Sequence, residues 1–188
     1  MRIVVRALSI SVFFCLTMSI LTPSAVGGGT GEANIMLGAK DLNKEWEPLK
    51  SQPAWAAEFS LGKDSWPVLM AIDILGSRDS GSSSGTHVSG STLEFDLGLR
   101  KIWGSKERTT RPFFGGGLGV FSGEAKFGDN KNTASDVGFW FNGGVFWRIG
   151  KGLNLGVDVR YSVANAKITG TQAEIGGLAY GALIGWGW

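Results

Sequence analysis

The stretch Leu153-Asn154-Leu155-Gly156-Val157-Asp158-Val159-Arg160-Tyr161-Ser162-Val163 alternates without a break between an apolar residue and a small or polar one. A period of two residues is typical of a β-strand whose two faces meet different surroundings. Residues 93–100 repeat the pattern, with Leu93, Phe95, Leu97 and Leu99 on one face and Glu94, Asp96 and Arg100 on the other. The sequence therefore predicts an all-β protein with long, two-faced strands.

Six further segments have strand character: residues 34–40, 55–62, 66–75, 112–121, 137–149 and 177–188. All eight together suit a closed bacterial barrel, in which antiparallel strands are even in number. We expect long polar loops at 43–54, 77–90, 126–136 and 169–176, tight turns at 62–65 and 150–152, and a connection of intermediate length at 104–110. Loops and turns that alternate in length indicate an up-and-down topology.

The N-terminus has the layout of a secretory signal peptide. Arg2 and Arg6 make the first residues basic, an apolar run covers residues 7–21, and small residues follow at 22–27. The apolar run of about 15 residues is shorter than the roughly 20 that a spanning helix needs, which makes an uncleaved anchor the weaker alternative. We predict a signal peptide at residues 1–26 and a barrel domain at residues 27–188.

Cleavage at that point would change the chemistry of the chain. It would remove Cys15, the one cysteine, and would lower Lys+Arg from 18 to 16 against 16 Asp+Glu. The mature chain would then have no disulfide, no thiol and no cysteine metal ligand. Its formal charge would be zero, which does not point to a nucleic-acid partner.

An eight-stranded barrel can be soluble with an apolar interior, like a lipocalin, or membrane-embedded with an apolar exterior. The faces opposite the apolar sets carry Gly, Asn, Asp, Glu and Arg, which are too small and too charged for an oily core. In water the continuous apolar faces would form a very large exposed patch. The pattern therefore favours a transmembrane barrel, with small inward positions at Gly115, Gly117, Gly119, Gly181 and Gly185 in a narrow interior.

Charged residues fall on the predicted inward faces in nearly balanced numbers, at Lys40, Glu58, Asp73, Glu94, Asp96, Arg100, Arg148, Asp158 and Arg160. Buried charges must be paired or hydrated. We interpret them as a salt-bridged plug that fills the barrel. The alternatives are a narrow polar pathway for solutes or ions and, least favoured, a catalytic carboxylate pair.

Tryptophans cluster at the strand ends that the loop lengths assign to the periplasmic side, at Trp66, Trp103, Trp147 and Trp188. Aromatic girdles mark the membrane interfaces of outer-membrane barrels. We predict that these four residues form such a girdle.

The C-terminus ends in an aromatic residue preceded by apolar residues at every second position, namely Tyr180, Ala182, Ile184, Trp186 and Trp188. It resembles the terminal assembly signal of outer-membrane proteins, with Trp in place of the commoner Phe. The whole mature chain is similar to the outer-membrane β-barrel domain family, which includes small barrels like the OmpA membrane domain and OmpX. This resemblance implies a bacterial outer-membrane location and insertion by the barrel-assembly machinery, and it transfers no catalytic residue.

Sites for catalysis or metal binding are weak in this sequence. His87, the one histidine, and Ser89 superficially resemble the His and Ser spacing of lipid A deacylases, but both lie in a Gly/Ser-rich segment expected to be a flexible outer loop. We predict no cofactor, no metal site and no catalytic residue. Loop oxygens at 41–45 and 129–132 match no calcium motif. Basic residues near the predicted outer rim suit weak contact with lipopolysaccharide phosphates: Lys44, Lys50, Arg78, Lys126 and Lys131.

The sequence thus favours a non-enzymatic outer-membrane protein with a structural or surface-interaction role through its loops. A narrow pore and a lipid A-modifying enzyme remain the alternatives. Outer-membrane lipid and lipopolysaccharide, together with the assembly machinery, are the expected partners. We expect a monomer, and the ligand of the loops stays unknown.

Overall fold

The strands form the predicted closed barrel. The computed structural model describes residues 29–83, 85–105, 108–168 and 171–188. Its elements are β1 (Gly29–Asp41), a 3-10 turn (Lys44–Trp46), β2 (Ser51–Lys63), β3 (Leu69–Ser83), β4 (Thr86–Ile102), β5 (Thr110–Phe127), β6 (Asn130–Ile149), β7 (Leu153–Val163), β8 (Asn165–Ile168), β9 (Thr171–Glu174) and β10 (Gly177–Gly187). Among these residues no helix has the length and hydropathy to cross a membrane. The predicted signal peptide, residues 1–26, lies outside them.

Each barrel strand pairs with its neighbours in sequence, and the circle closes between the first and last strands. The order is β1-β10-β7-β6-β5-β4-β3-β2, and all of the pairs are antiparallel. At the seam β1 pairs with β10 from Glu32↔Gly187 to Asp41↔Leu178. Two backbone hydrogen bonds between Gly31 and Trp188, at 3.1 and 3.0 Å, extend the seam to the last residue. The predicted eight-stranded, up-and-down barrel is confirmed.

The two ends of the barrel differ. The terminal end holds Gly29 and Trp188 and the connections 64–68, 103–109 and 150–152, whereas the loop end holds the connections 42–50, 84–85, 128–129 and 164–176. In outer-membrane barrels the short turns are periplasmic and the longer loops extracellular. The two longest connections, 42–50 and 164–176, lie at the loop end, so that rule predicts that the loop end faces the outside of the cell.

Two of the predicted long loops are instead strands. β3 and β4 stay paired out to Ser83↔Thr86, and β5 and β6 out to Phe127↔Asn130, where Gly128 takes a positive φ of 59° in the tight turn. β2 leaves β3 after Ala54↔Ser77, and β6 joins β7 only from Phe139↔Val163. The β3–β6 ends therefore extend past their neighbours as a four-stranded sheet of residues 78–83, 86–91, 122–127 and 130–136, which we call the projection. The predicted loop at 169–176 partly forms β9 of a separate β8–β9 hairpin.

The barrel wall separates apolar from polar side chains as the alternation predicts. On β7, Val157 and Val159 are 46% and 50% exposed, whereas Arg160 on the opposite face is 0% exposed. The outward belt is continued on the other strands by exposed residues such as Leu37, Met70, Leu97, Phe114, Phe141 and Ile184.

The interior is less uniformly polar than the sequence analysis expects. Two clusters of buried apolar side chains lie among the charges: Leu42, Trp46, Ala71, Phe121, Trp140, Ala164 and Ile175 in one, and Met36, Ala56, Leu75, Phe113, Phe146, Ala179 and Leu183 in the other. Bulky apolar side chains therefore share the narrow interior with the glycines predicted there. They fit because glycines opposite them leave room: a Cβ on Gly144 would lie 2.7 Å from the Phe113 ring, and one on Gly119 would overlap the Asp96 carboxylate.

Candidate functional site

The nine charged residues predicted to face the lumen are all buried there. Their exposure ranges from 0% for Arg160 to 8% for Arg148. They come from six barrel strands, on each of which the alternation of side chains turns them inward: β1, β2, β3, β4, β6 and β7. Together with polar neighbours they form three groups of contacts along the barrel, which we call the central, loop-end and terminal-end networks.

The central network is built around two arginines that share carboxylates. Arg100 Nη2 lies 2.6 Å from Asp73 Oδ2, and Arg160 contacts both Asp73 and Asp96. Glu58 lies farther away, 3.8 Å from Arg160 and 3.9 Å from Arg100. Such pairs are stable only as a set, because removing one partner leaves another charge buried and uncompensated.

An aromatic ring supports the two arginines. Trp140 is fully buried, and its ring centroid lies 4.7 Å from Arg160 Cζ and 5.8 Å from Arg100 Cζ. Its indole N–H donates to the Leu97 carbonyl at 3.3 Å. The ring faces the guanidinium groups and adds cation–π attraction in a desolvated setting.

Asp158 differs from the other carboxylates of the central network. It is 1% exposed, and within the described part of the chain its one hydrogen-bond donor is the Asn142 amide, which reaches Asp158 Oδ1 at 3.2 Å. No cation of the described residues forms an ion pair with it, and Asp158 Oδ2 has no hydrogen-bond partner.

The loop-end network is centred on Lys40. Its ammonium group contacts the Glu94 carboxylate, the Thr92 hydroxyl at 3.0 Å and the Ile175 carbonyl at 3.2 Å. Ser162 donates to Glu94 at 3.1 Å, so β1, β4 and β7 are joined across the lumen. The Lys40 side chain is 0% exposed, which means that water does not reach it.

The terminal-end network includes two residues that the sequence analysis does not identify, Glu32 and Arg111. Glu32 accepts from Arg148 at 2.5 Å, from Arg111 at 2.8 Å and from Asn154 at 2.7 Å. Both missed residues lie just outside the predicted strands at 34–40 and 112–121. The parity of Lys40 and of Gly115 would have turned them inward had those strands been extended.

The loop end is covered by apolar side chains. Trp46 in the 3-10 turn is 6% exposed and packs with Leu42 and Ile175. Its indole N–H donates to the Glu174 carbonyl at 2.8 Å, and Asn43 donates to the Glu174 carboxylate. The first and last loop-end connections thus close over the lumen.

Charges outside the wall are partly neutralised by one another. Glu124 in the projection pairs with Lys131 at 2.8 Å and Lys126 at 3.6 Å. The hydrogen bond from Lys131 lowers the pKa of the Glu124 carboxyl below its ordinary value. Two of the five rim cations are therefore engaged within the projection.

His87 and Ser89 lie on β4 in the projection, paired with Ser82 and Ser80 of β3, and not in a flexible loop as predicted. His87 is exposed, and neither side chain contacts an acidic group within the residues described. The same residues contain no cluster of three or more His, Cys, Asp or Glu able to hold a metal ion.

The predicted girdle and assembly-signal residues lie at outward positions. Trp66, Trp103 and Trp147 are 44%, 47% and 42% exposed at the terminal end, and Trp188 is half-buried there beside Gly31. Tyr180, Ala182, Ile184 and Trp186 all face outward on β10. The sequence analysis misses Trp55, 47% exposed on β2, whose ring lies over Gly76 nearer the loop end.

No protein-family model and no curated protein matches the sequence. Solved structures do match it. OprG from Pseudomonas aeruginosa has a TM-score of 0.61 at 9% identity over 86% of this chain and 96% of its own. Neisserial surface protein A has a TM-score of 0.58 at 14% identity, and the match covers 85% of this chain and 97% of that protein's chain. Ail of Yersinia pestis was solved with the heparin analogue sucrose octasulfate. It has a TM-score of 0.57 at 12% identity, and the match covers 85% of this chain and 99% of Ail's chain. The chain therefore has the fold of the small eight-stranded outer-membrane barrels.

Proposed function

We propose that this protein resides in the bacterial outer membrane and acts at the cell surface as a non-enzymatic binding protein, through its loop end. The fold it shares with small outer-membrane barrels supports the location. The exposed apolar belt and the tryptophans at the terminal end support it further, because a bilayer removes that belt from water.

The observation that carries the proposed role is the closed lumen. Lys40, Asp73, Glu94, Asp96 and Arg160 are each 0% exposed, and Trp46 and Ile175 cover them at the loop end. An interior that water does not reach has no room for a passing solute or a substrate. Function then falls to the surfaces, among which the projection is a four-stranded sheet beyond the barrel ring.

The projection has the form of a sheet that another chain could extend. Between nine and eleven tilted residues span a bilayer, yet β6 has 20 residues. Among the described residues the β3 edge beyond Ser77 has no strand paired to it, and the β6 edge before Phe139 has β8 packed beside it but not hydrogen-bonded to it as a strand. Unpaired edges offer backbone donors and acceptors to an added strand. A protein partner therefore suits this surface.

A polyanionic partner suits it less. The loop-end segments 41–51, 77–91, 122–136 and 164–176 together contain eight acidic and six basic residues. Ail was solved with a sulfated heparin analogue, but an acidic excess repels such a ligand. Of the five rim cations predicted from the sequence, Lys44, Lys50 and Arg78 would carry contact with lipopolysaccharide phosphates, because Glu124 engages Lys126 and Lys131.

The test separates the projection from the wall. One variant replaces residues 80–89 by Asn-Gly, a favoured hairpin turn, and a second does the same for residues 125–132. Both keep Gly90 and Gly123, against which Trp46 packs. Cells that display the wild type should bind immobilised serum or cell-surface proteins more strongly than cells that display either variant at equal level.

Purified wild-type protein in planar bilayers should show no steady conductance. Steady ion-selective conductance with the networks intact would favour the narrow pore. A mass change in lipid A on expression, lost in His87→Ala, would favour the enzyme. Equal binding by the wild type and both shortened variants would refute a role for the projection.

A further inference from the structure

The central network contains more negative than positive charge. Its charged groups are Glu58 on β2, Asp73 on β3, Asp96 and Arg100 on β4, and Asp158 and Arg160 on β7. β5 contributes glycine to this region and β6 contributes the neutral Asn142. Two guanidinium groups therefore face four carboxyl groups, each at most 2% exposed. Lys40 and Glu94 above them neutralise each other.

The excess negative charge lies at Glu58 and Asp158. The two arginines are directly engaged by Asp73 and Asp96, whereas Glu58 is 3.8 Å or more from both and Asp158 has no ion pair among the described residues. Burying an unpaired carboxylate away from water costs so much free energy that a buried carboxyl group keeps its proton and stays neutral instead.

The two carboxyl groups also border the same guanidinium group: Glu58 Oε1 lies 3.8 Å from Arg160 Nη2, and Asp158 lies two residues before Arg160 on the buried face of β7. As carboxylates both could only accept, and among the described residues Glu58 Oε1 and Asp158 Oδ2 lack a hydrogen-bond partner, as do Asp73 Oδ1, Glu94 Oε2 and Asp96 Oδ1. One added hydrogen on either oxygen turns this pair of acceptors into a donor and an acceptor. A metal ion is the weaker occupant, because no cluster of the described residues has the ligands for one.

We propose that Glu58 and Asp158 form a proton-binding site in the barrel interior, in which one proton is shared between the two carboxyl groups and held at neutral pH. The proton is taken up from water on folding, since Asp and Glu in an unfolded chain are ionised above about pH 5. The folded state then binds one proton more than the unfolded state. Stability must therefore fall as the pH rises, until the folded barrel also loses the proton.

The variant that tests this is Asp158→Asn. The Asn amide supplies an N–H in place of the shared O–H and removes the need for the proton. In urea titrations of barrels folded in detergent, the folding equilibrium constant of the wild type should fall about tenfold per pH unit relative to that of Asp158→Asn between about pH 6 and the loss of the proton. Glu32→Gln, a carboxyl engaged by two arginines, is the control and should keep the wild-type slope.

Infrared spectroscopy of the wild type gives an independent readout, which holds even if a variant folds poorly. At neutral pH the wild type should show the carbonyl band of a buried protonated carboxyl, shifted in D2O. The band should be lost in Asp158→Asn or Glu58→Gln and retained in Glu32→Gln. Absence of the band in the wild type, or parallel pH slopes for the wild type and Asp158→Asn, would overturn the proposal. Stabilisation by Na⁺ over choline at fixed pH and ionic strength would overturn it in favour of a cation.

Discussion

Arg160 bridges the lumen and compensates more buried charge than any other residue of the central network. It contacts Asp73 and Asp96, and Asp96 has no other ion pair among the described residues. Arg160→Ala should lower the free energy of unfolding by about 3–5 kcal/mol, because it leaves buried carboxylates without their cation. The barrel should still insert, since no lipid contact changes.

Urea titration of the folded barrel measures the effect of Arg160→Ala. Asp96→Asn in the same chain should restore part of the loss by removing the orphaned charge. Arg78→Ala, at an exposed position of the projection, is the control and should change stability by less than about 0.5 kcal/mol. An equal effect of the two arginine variants would contradict the role of the network.

Val157 tests the opposite face of the same strand. It is 46% exposed in the apolar belt, three residues from Arg160. Val157→Arg should impair insertion, because Arg on the lipid face costs about 2–4 kcal/mol at the bilayer midplane. Val157→Leu should fold as the wild type does. Folding yield into lipid vesicles is the measurement, and normal insertion of Val157→Arg would mean that this face does not meet lipid.

Among the elements, β10 must pair with β1 to close the barrel, and Trp188 lies at the seam between them. Its ring lies against Gly31, where a Cβ would come within 2.7 Å of Trp188 Cε2, and its backbone pairs with Gly31. Trp188→Ala should cost about 2 kcal/mol, below the 3–5 kcal/mol of fully buried Trp→Ala changes, because the ring is only half-buried.

The level of heat-modifiable barrel in cells measures assembly of the Trp188 variants. Trp188→Phe keeps a terminal aromatic ring and should assemble almost normally. Trp147→Ala, on the wall at the same end and 42% exposed, controls for the loss of any interfacial tryptophan. If Trp147→Ala and Trp188→Ala lowered the level equally, no special role of the last residue would be needed.

Alternation could predict the strands of the wall but not those of the projection. β7 meets lipid on one face and a charged interior on the other, so its sequence has a period of two. Residues 78–82 are exposed or half-buried, and in 86–91 only Val88 and Gly90 are buried, so small Ser and Gly residues can occupy both faces there. Ser and Gly therefore follow one another in both segments, and the sequence reads as a loop.

The same reasoning explains the interior aromatic residues. Residues 139–141 read Phe-Trp-Phe, so the sequence shows no alternation of apolar and polar residues at Trp140. The Trp140 ring nevertheless points inward, whereas those of Phe139 and Phe141 point outward. Hydropathy measures how apolar a side chain is and not which surface it covers. The charged lumen residues were predictable because a charged side chain is tolerated only on the inner face of a membrane barrel. An aromatic ring is tolerated on the inner face and on the lipid-facing side.

For the whole molecule, the barrel begins where export processing is predicted to end. The first described residue, Gly29, opens β1, and Glu32 already lies in the terminal-end network. Removal of residues 1–26 would leave a stub of two residues before the strand and no apolar segment beside the seam.

Expression of the full chain with an epitope tag inserted at the tip of the β5–β6 hairpin, between Gly128 and Asp129, tests location, processing and orientation together. The tagged protein should fractionate with the outer membrane, and mass spectrometry should find an N-terminus near residue 27. Antibody should label the tag on intact cells, because that tip belongs to the projection, whereas a tag placed in the 150–152 turn should be labelled only after permeabilisation. A soluble periplasmic product would contradict membrane insertion. Surface labelling of the 150–152 tag alone would invert the barrel and remove the projection from the cell surface.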